Sequence, residues 1–170
     1  MGFEIIERGE TLVAGLPVRS PQRALGKLSD PRLDRAWTRV LHHEVGGPLA
    51  STYIDFAPDV ESYYTQIVGY ECATVDDATR GHVISRIPPG TYAKFSSRGM
   101  IPDVMLRLWA QVSEAETNGD IERTYTGDLE AYPHAYAVDL YIPIHVDESG
   151  APSSAGGSSA VGSSVMGEKR

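Results

Sequence analysis

The sequence predicts an α+β domain: a strand-helix-strand-strand unit used twice, forming an antiparallel sheet and two main helices around a central cleft, with pseudo-twofold symmetry. Two observations carry that prediction. Sliding the chain against itself by 72 residues aligns Arg8-Gly9 with Arg80-Gly81, Pro17 with Pro89, Arg35 with Arg107, Trp37 with Trp109, Thr52-Tyr53 with Thr124-Tyr125 and Tyr64 with Tyr136, without a gap. The chain has two tryptophans, and they fall opposite each other. The second observation is that each aligned segment repeats the same order of hydrophobic periods. The copies span about residues 3–72 and 75–144.

In the first copy, Glu4 to Val18 reads as extended chain. Asp30-Pro31 opens a helix, since Asp caps and Pro fits the first helical position. Leu33, Ala36, Trp37, Val40 and Leu41 form its inner stripe, Arg32, Arg35, Arg39 and His42 face away, and Gly46-Gly47-Pro48 ends it. TYIDF (52–56) and YYTQIVGY (63–70) predict a hairpin. The second copy repeats the plan. HVISRI (82–87) and TYAKFSS (91–97) flank the turn Pro88-Pro89-Gly90. A helix follows from about Pro102 to Ala115, with Ile101, Met105, Leu108, Trp109 and Val112 inward, then strands over 123–132 and 135–144. After Val146 the chain turns to Ser, Gly and Ala without periodicity, so residues 1–146 read as one domain and 147–170 as a flexible tail.

Charge and composition exclude several classes. The net charge is −8, with no basic cluster carrying interleaved aromatics, which argues against direct nucleic-acid binding and favours cationic partners. No run reaches the length of a membrane span, the start lacks a signal-peptide pattern, and a single cysteine suits a cytoplasmic protein. There is no phosphate-binding glycine loop, no G-x-S-x-G and no H-E-x-x-H, so neither a cofactor nor a metal is predicted. His42-His43 reads as a solvated helix end, and Cys72, which aligns with Ile144, as an inert thiol in an apolar position.

The stretch AVDLYIPI (137–144) poses the functional question. Val138, Leu140, Ile142 and Ile144 alternate onto one face, which puts Asp139 and Tyr141 on the other. A carboxylate in so apolar a strand faces water, has a partner, or receives a visitor. Asp139 is accordingly the first candidate for an acidic cleft floor, with Tyr141 beside it either orienting the carboxylate or presenting its ring. Trp109 and Trp37 lie on helix stripes where plain core packing is the common role. Tyr53, Tyr125, Tyr64 and Tyr136 come from symmetric strand positions, some of which would line a cleft. Glu130, in the strand paired with the last, is either a second acid or a solvated residue, with Asp128 and Tyr132 on its face in the absence of a bulge.

The motifs VAGLPV, VGYE, IPPGTYAKF, LW in the second helix, DLEAY and VDLYIPI, in that order across about residues 3–146, resemble the GyrI-like effector-binding domains, which also end AraC-type and MerR-type drug-responsive regulators. The resemblance implies a binding fold: a cleft between halves that takes hydrophobic, often cationic, small molecules, with aromatics stacking on the ligand and an acid beneath. It implies use in sequestration, resistance or signalling. The alternative activity it implies is hydrolysis of cyclopropane-bearing DNA-alkylating natural products, with Asp139 or Glu130 acting on water. The family's last strand carries Glu where this chain has Asp139, a carboxylate shorter by one methylene. No DNA-binding segment precedes Phe3, as in a stand-alone member, and a protein partner such as gyrase is a family-level analogy.

Overall fold

The computed structural model describes residues 2–21 and 30–154. Eight strands form one antiparallel sheet: β1 (Phe3–Arg8), β2 (Thr11–Arg19), β3 (Leu49–Ile54), β4 (Thr65–Cys72), β5 (Val83–Ile87), β6 (Gly90–Arg98), β7 (Asp128–His134) and β8 (Ala137–Pro143). Two helices, α1 (Pro31–Leu41) and α2 (Asp103–Thr117), cover one face. The spatial order is β1-β6-β8-β7-β3-β4-β2-β5. Exchanging β1 with β5, β2 with β6, β3 with β7 and β4 with β8 returns the same order read backwards, so β3 and β7 meet at the middle. The predicted hairpin of β3 and β4 is present. The predicted extended chain Glu4–Val18 breaks at Gly9-Glu10, and its two parts diverge: β1 pairs with β6 of the other half, while β2 pairs with β4 and β5.

Helix α1 starts as its sequence dictates. The Asp30 side chain accepts from Arg32 N at 2.9 Å, and Pro31 occupies the first turn. Ala36 and Val40 pack onto Ala14, Val18, Val68 and Tyr70 of β2 and β4. The helix stops at Leu41, five residues before Gly46, and Leu41 is exposed rather than part of the inner stripe. In α2, Val104, Leu108, Val112 and Ala115 face Ala93, Phe95, Val138, Leu140 and Ile142 of β6 and β8. Ile101 precedes that helix and is exposed, and Val104 takes the buried place instead.

Each helix therefore sits on the two strands between the central pair and the edge strand of its side, β4 and β2 for α1, β8 and β6 for α2. The central pair β3 and β7 is left as the floor between them. The opposite face is concave. Val13, Ile87, Tyr92, Leu129 and Tyr141 form one core there, and Thr52 of β3 reaches Ser85 of β5 at 2.8 Å although two strands separate them in the order. Gly15 and Gly69, directly opposite each other in β2 and β4, permit that curl: a Cβ would lie 1.9 Å from the Val68 carbonyl oxygen at Gly15 and 1.7 Å from the Ala14 oxygen at Gly69. Val146 and Pro152 form an isolated bridge, with a turn held by the Asp147 side chain. The rest of the predicted tail, from residue 155, lies outside the described residues.

Candidate functional site

Register decides what occupies the floor between the helices. Glu130 stands opposite Leu140 in β8 and opposite Ser51 in β3, and Tyr53 stands opposite Asp128. Leu140 packs beneath α2, so Glu130, Ser51, Tyr53 and Asp128 all point to the helix face. The same alternation sends Asp139 and Tyr141 to the concave face. Asp139 is half-buried opposite Ser96 and Ala131, and the Tyr141 ring lies under the Arg8 guanidinium at 3.9 Å and the Lys94 ammonium at 5.8 Å. The acid between the helices is thus Glu130, not Asp139. The physical reason was present in AVDLYIPI: residues that pack Val138, Leu140 and Ile142 against α2 cannot also aim Asp139 at Trp109.

Glu130 is fully buried. One carboxylate oxygen, Oε2, accepts from the Tyr53 hydroxyl at 3.0 Å and from the Trp109 indole N–H at 3.1 Å. The other, Oε1, accepts from the Tyr132 hydroxyl. Burial, and then the charge of Glu130, hold the hydroxyls of Tyr53 and Tyr132 well above the usual tyrosine range, so both stay protonated donors. Ser51 adds a polar contact to Tyr132 at 3.4 Å, and Gln66 donates to Ser51 at 3.4 Å.

Rings wall this carboxylate. Trp109 meets Tyr53 edge-on with centroids 5.0 Å apart, and Trp37 of α1 meets Tyr132 edge-on at 5.8 Å. Tyr53 neighbours Tyr64 at 5.9 Å, Tyr64 neighbours Phe56 at 6.1 Å, and Phe56 meets Tyr125 at 5.4 Å. Trp109–Tyr53, Trp37–Tyr132 and Phe56–Tyr125 meet edge to face, Tyr53–Tyr64 is tilted and Tyr64–Phe56 stacked; such pairs add about 0.5–1.5 kcal/mol each beyond burial. Both tryptophans belong to the cluster, one from each helix.

Two symmetric tyrosine pairs part company. Tyr64 is buried and its hydroxyl donates to the Pro21 carbonyl at 2.9 Å. Tyr136 is 61% exposed, because the β7–β8 turn is short and ends on it, whereas Tyr64 closes a longer connection. Tyr136 is therefore outside the cluster. Tyr125 is not on a strand as Tyr53 is: residues 123–127 precede β7, with Tyr125 at φ +55°. Its ring lies over the Arg123 guanidinium at 4.2 Å and its hydroxyl donates to Glu116, while burial pushes that hydroxyl up to about 12. Arg123 itself is buried, bridging Asp128 at 2.6 Å and Glu116 at 3.7 Å, with the Trp109 ring 5.9 Å away. A bulge interrupts β7 after Ala131.

Sequence reasoning missed Phe56, Ser51 and Arg123, and gave Tyr132 only as a neighbour. The first three sit on or beside β3 and β7, where the register of the central pair, not any motif, assembles them. His43 meets the His82 ring edge-on at 5.4 Å, and no group of three metal-ligating side chains occurs among the described residues. No helix among them is long and apolar enough to cross a membrane.

A curled sheet with two helices on one face is the fold of the effector-binding class that the GyrI-like resemblance indicated. Residues 4–144 match the family described as integron-associated effector binding protein, Cass2, and the chain belongs to that family. Among solved structures, an integron cassette protein from the mobile metagenome of Vibrio cholerae aligns at TM-score 0.71 and 21% identity, covering 85% of this chain and 96% of that one. SAV2435 bound to tetraphenylphosphonium aligns at TM-score 0.64 and 11% identity, covering 85% and 94%. The C-terminal domain of EcmrR aligns at TM-score 0.54 and 13% identity, covering 85% and 99%. At these identities the likeness is one of fold. No curated protein matches the chain.

Proposed function

We propose that this protein binds hydrophobic organic cations between α1 and α2, with Glu130 as the counter-charge and the rings of Trp37, Tyr53, Trp109 and Tyr132 as the walls. The observation that carries the reading is a fully buried carboxylate held by Tyr53, Trp109 and Tyr132 and enclosed by aromatic surface from both halves. The bonds from Tyr53, Trp109 and Tyr132 fix the carboxylate in position, and a delocalised cation seated beside it in these low-dielectric surroundings is attracted more strongly than in water. Each aromatic face adds about 0.5–2 kcal/mol to a desolvated cation. A fold relative holding tetraphenylphosphonium supports this ligand class. The rings touch one another, Tyr53 and Trp109 most closely at 5.0 Å, so a ligand enters by turning a ring aside rather than by filling a preformed void. Binding serves capture or signalling rather than turnover.

The two tryptophans make the test simple, since both lie in the cluster and report on it by intrinsic fluorescence. Titration with tetraphenylphosphonium should quench that emission saturably, and triphenylphosphine oxide, neutral and of similar rings, should bind at least about tenfold more weakly, a difference of about 1.4 kcal/mol. Equal affinity for the two compounds, or no saturable quenching by the cation, would refute the proposal.

A further inference from the structure

We infer that the groove between β2 and α1 is a separate site for a small multivalent oxyanion, on the outer side of α1 from the aromatic cluster. The groove is a half-open pocket of about 340 Å³. Its floor is aliphatic, from Leu16, Val18 and Ala36, and its rim carries Arg19, Arg32, Arg35 and Arg39. Four of the chain's fifteen basic residues thus line one small cavity of a protein whose net charge is −8, and Arg35 and Arg39 are the two whose charge is open to a ligand.

The four guanidinium groups are not equivalent. Arg32 is fixed: it pairs with Asp30 at 2.7 Å and donates to the carbonyls of Arg19 at 2.9 Å and Ser20 at 3.0 Å. The Arg19 side chain points off the helix face, opposite to its neighbour Val18. It donates to the Thr65 hydroxyl at 2.7 Å and the Asp55 carbonyl at 3.5 Å and stacks over the Tyr63 ring at 4.3 Å, so it is the Arg19 carbonyl, held by Arg32, that borders the groove. Arg35 and Arg39 stand one helical turn apart, and among the described residues neither makes an ion pair. Like charges at that spacing repel and weaken a helix. The fold does not demand this arrangement. Seventy-two residues further along the chain the corresponding positions hold Thr91, Val104, Arg107 and Gln111, a single arginine in place of four. Planar guanidinium forks match the oxygens of phosphate and carboxylate groups in pairs, and an oxyanion seated between Arg35 and Arg39 relieves the repulsion between them. The cavity is of a size for a small molecule rather than a duplex.

This site does not depend on the cation-binding reading, and its test is separable. Tripolyphosphate is titrated calorimetrically into the whole protein, with sodium chloride matched in ionic strength as the reference, for wild type and for Arg35→Gln/Arg39→Gln. Both arginines are exposed and Gln is a comparable helix former, so the variant should fold, with a thermal melt equal to wild type or raised by the repulsion removed. The expected result is one-to-one binding by wild type, weakened at least about tenfold in the double variant, since two charged pairings are lost. Citrate in a parallel titration identifies the source: comparable binding points to polycarboxylates, and tripolyphosphate binding alone points to phosphate compounds, each in support. Equal affinity in the variant, no heat beyond the salt reference, or binding of a short oligothymidylate without tripolyphosphate binding would overturn the inference.

Discussion

Replacing Tyr53 by Phe removes one oxygen from the centre of the aromatic cluster and leaves its ring in place against Trp109 at 5.0 Å and Tyr64 at 5.9 Å. That oxygen donates to Glu130 Oε2 at 3.0 Å, alongside the indole N–H of Trp109 at 3.1 Å. Hydrogen bonds to charged groups contribute about 1.5–3 kcal/mol. For a chain of this length each kcal/mol moves the melting temperature by about 2–4 °C, so Tyr53→Phe should lower it by about 3–12 °C. Circular dichroism melts of Tyr53→Phe, Glu130→Gln and the double variant separate this bond from incidental repacking. A coupling of about 0.5–3 kcal/mol is expected between positions in one buried network. Tetraphenylphosphonium affinity should survive Tyr53→Phe within about threefold, because the incoming cation supplies the compensation that the hydroxyl supplied. A melting shift under about 1 °C, or the same shift with and without Glu130, would refute the reasoning, since it would mean that the hydroxyl does not stabilise the carboxylate.

Three further outcomes follow from the fold. Gly69→Ala places a Cβ 1.7 Å from the Ala14 carbonyl oxygen of the paired strand, so β2 and β4 must separate; a loss at the upper end of the about 1–3 kcal/mol range for overpacking, or failure to fold, is expected in urea denaturation. Asp128→Asn removes the carboxylate that meets Arg123 at 2.6 Å and leaves a guanidinium buried with less compensation, at a cost of about 3–5 kcal/mol by the same assay. His82 is held below its ordinary value of 6.5, first by burial and then by His43 and Arg39, so the folded state resists protonation more than the unfolded chain does. Its contribution to stability is complete above the unfolded value of 6.5 and is lost as pH falls through the lower folded value; His82→Gln should flatten that part of the stability–pH curve.

Much of the fold was legible because local chemistry and tertiary packing agree. Asp30-Pro31 caps α1 in sequence and in structure, and the alternation Val138, Leu140, Ile142 faces α2 as period two requires. What local pattern could not carry was partner choice among strands. Nothing in Glu4–Val18 says that its first part pairs with β6 and its second with β4, at opposite ends of the sheet. The site shows the same division. Helix stripes and strand alternation suffice to bring Trp37, Trp109 and Tyr53 to the helix face, where the tryptophan rings meet the tyrosines of β3 and β7. Asp139 is the conspicuous acid of an apolar strand, yet its own neighbours fix it on the concave face. Glu130 looked equally like a solvated strand residue, and only the pairing of β7 with both β3 and β8 buries it completely. Tyr136 shows the limit of symmetry: loop length, not strand position, exposes it while Tyr64 is buried.

In the proposed function the charge that selects ligands is Glu130, on the helix face, and not Asp139, on the concave face. Titrating tetraphenylphosphonium into Glu130→Gln and Asp139→Asn, with tryptophan emission as the readout, tests it directly. The expected result is a loss of about tenfold to a hundredfold in affinity for Glu130→Gln, about 1.4–2.8 kcal/mol, and no change beyond about twofold for Asp139→Asn. The reverse pattern, or unchanged affinity in the Glu130 variant with its fold intact, would contradict it.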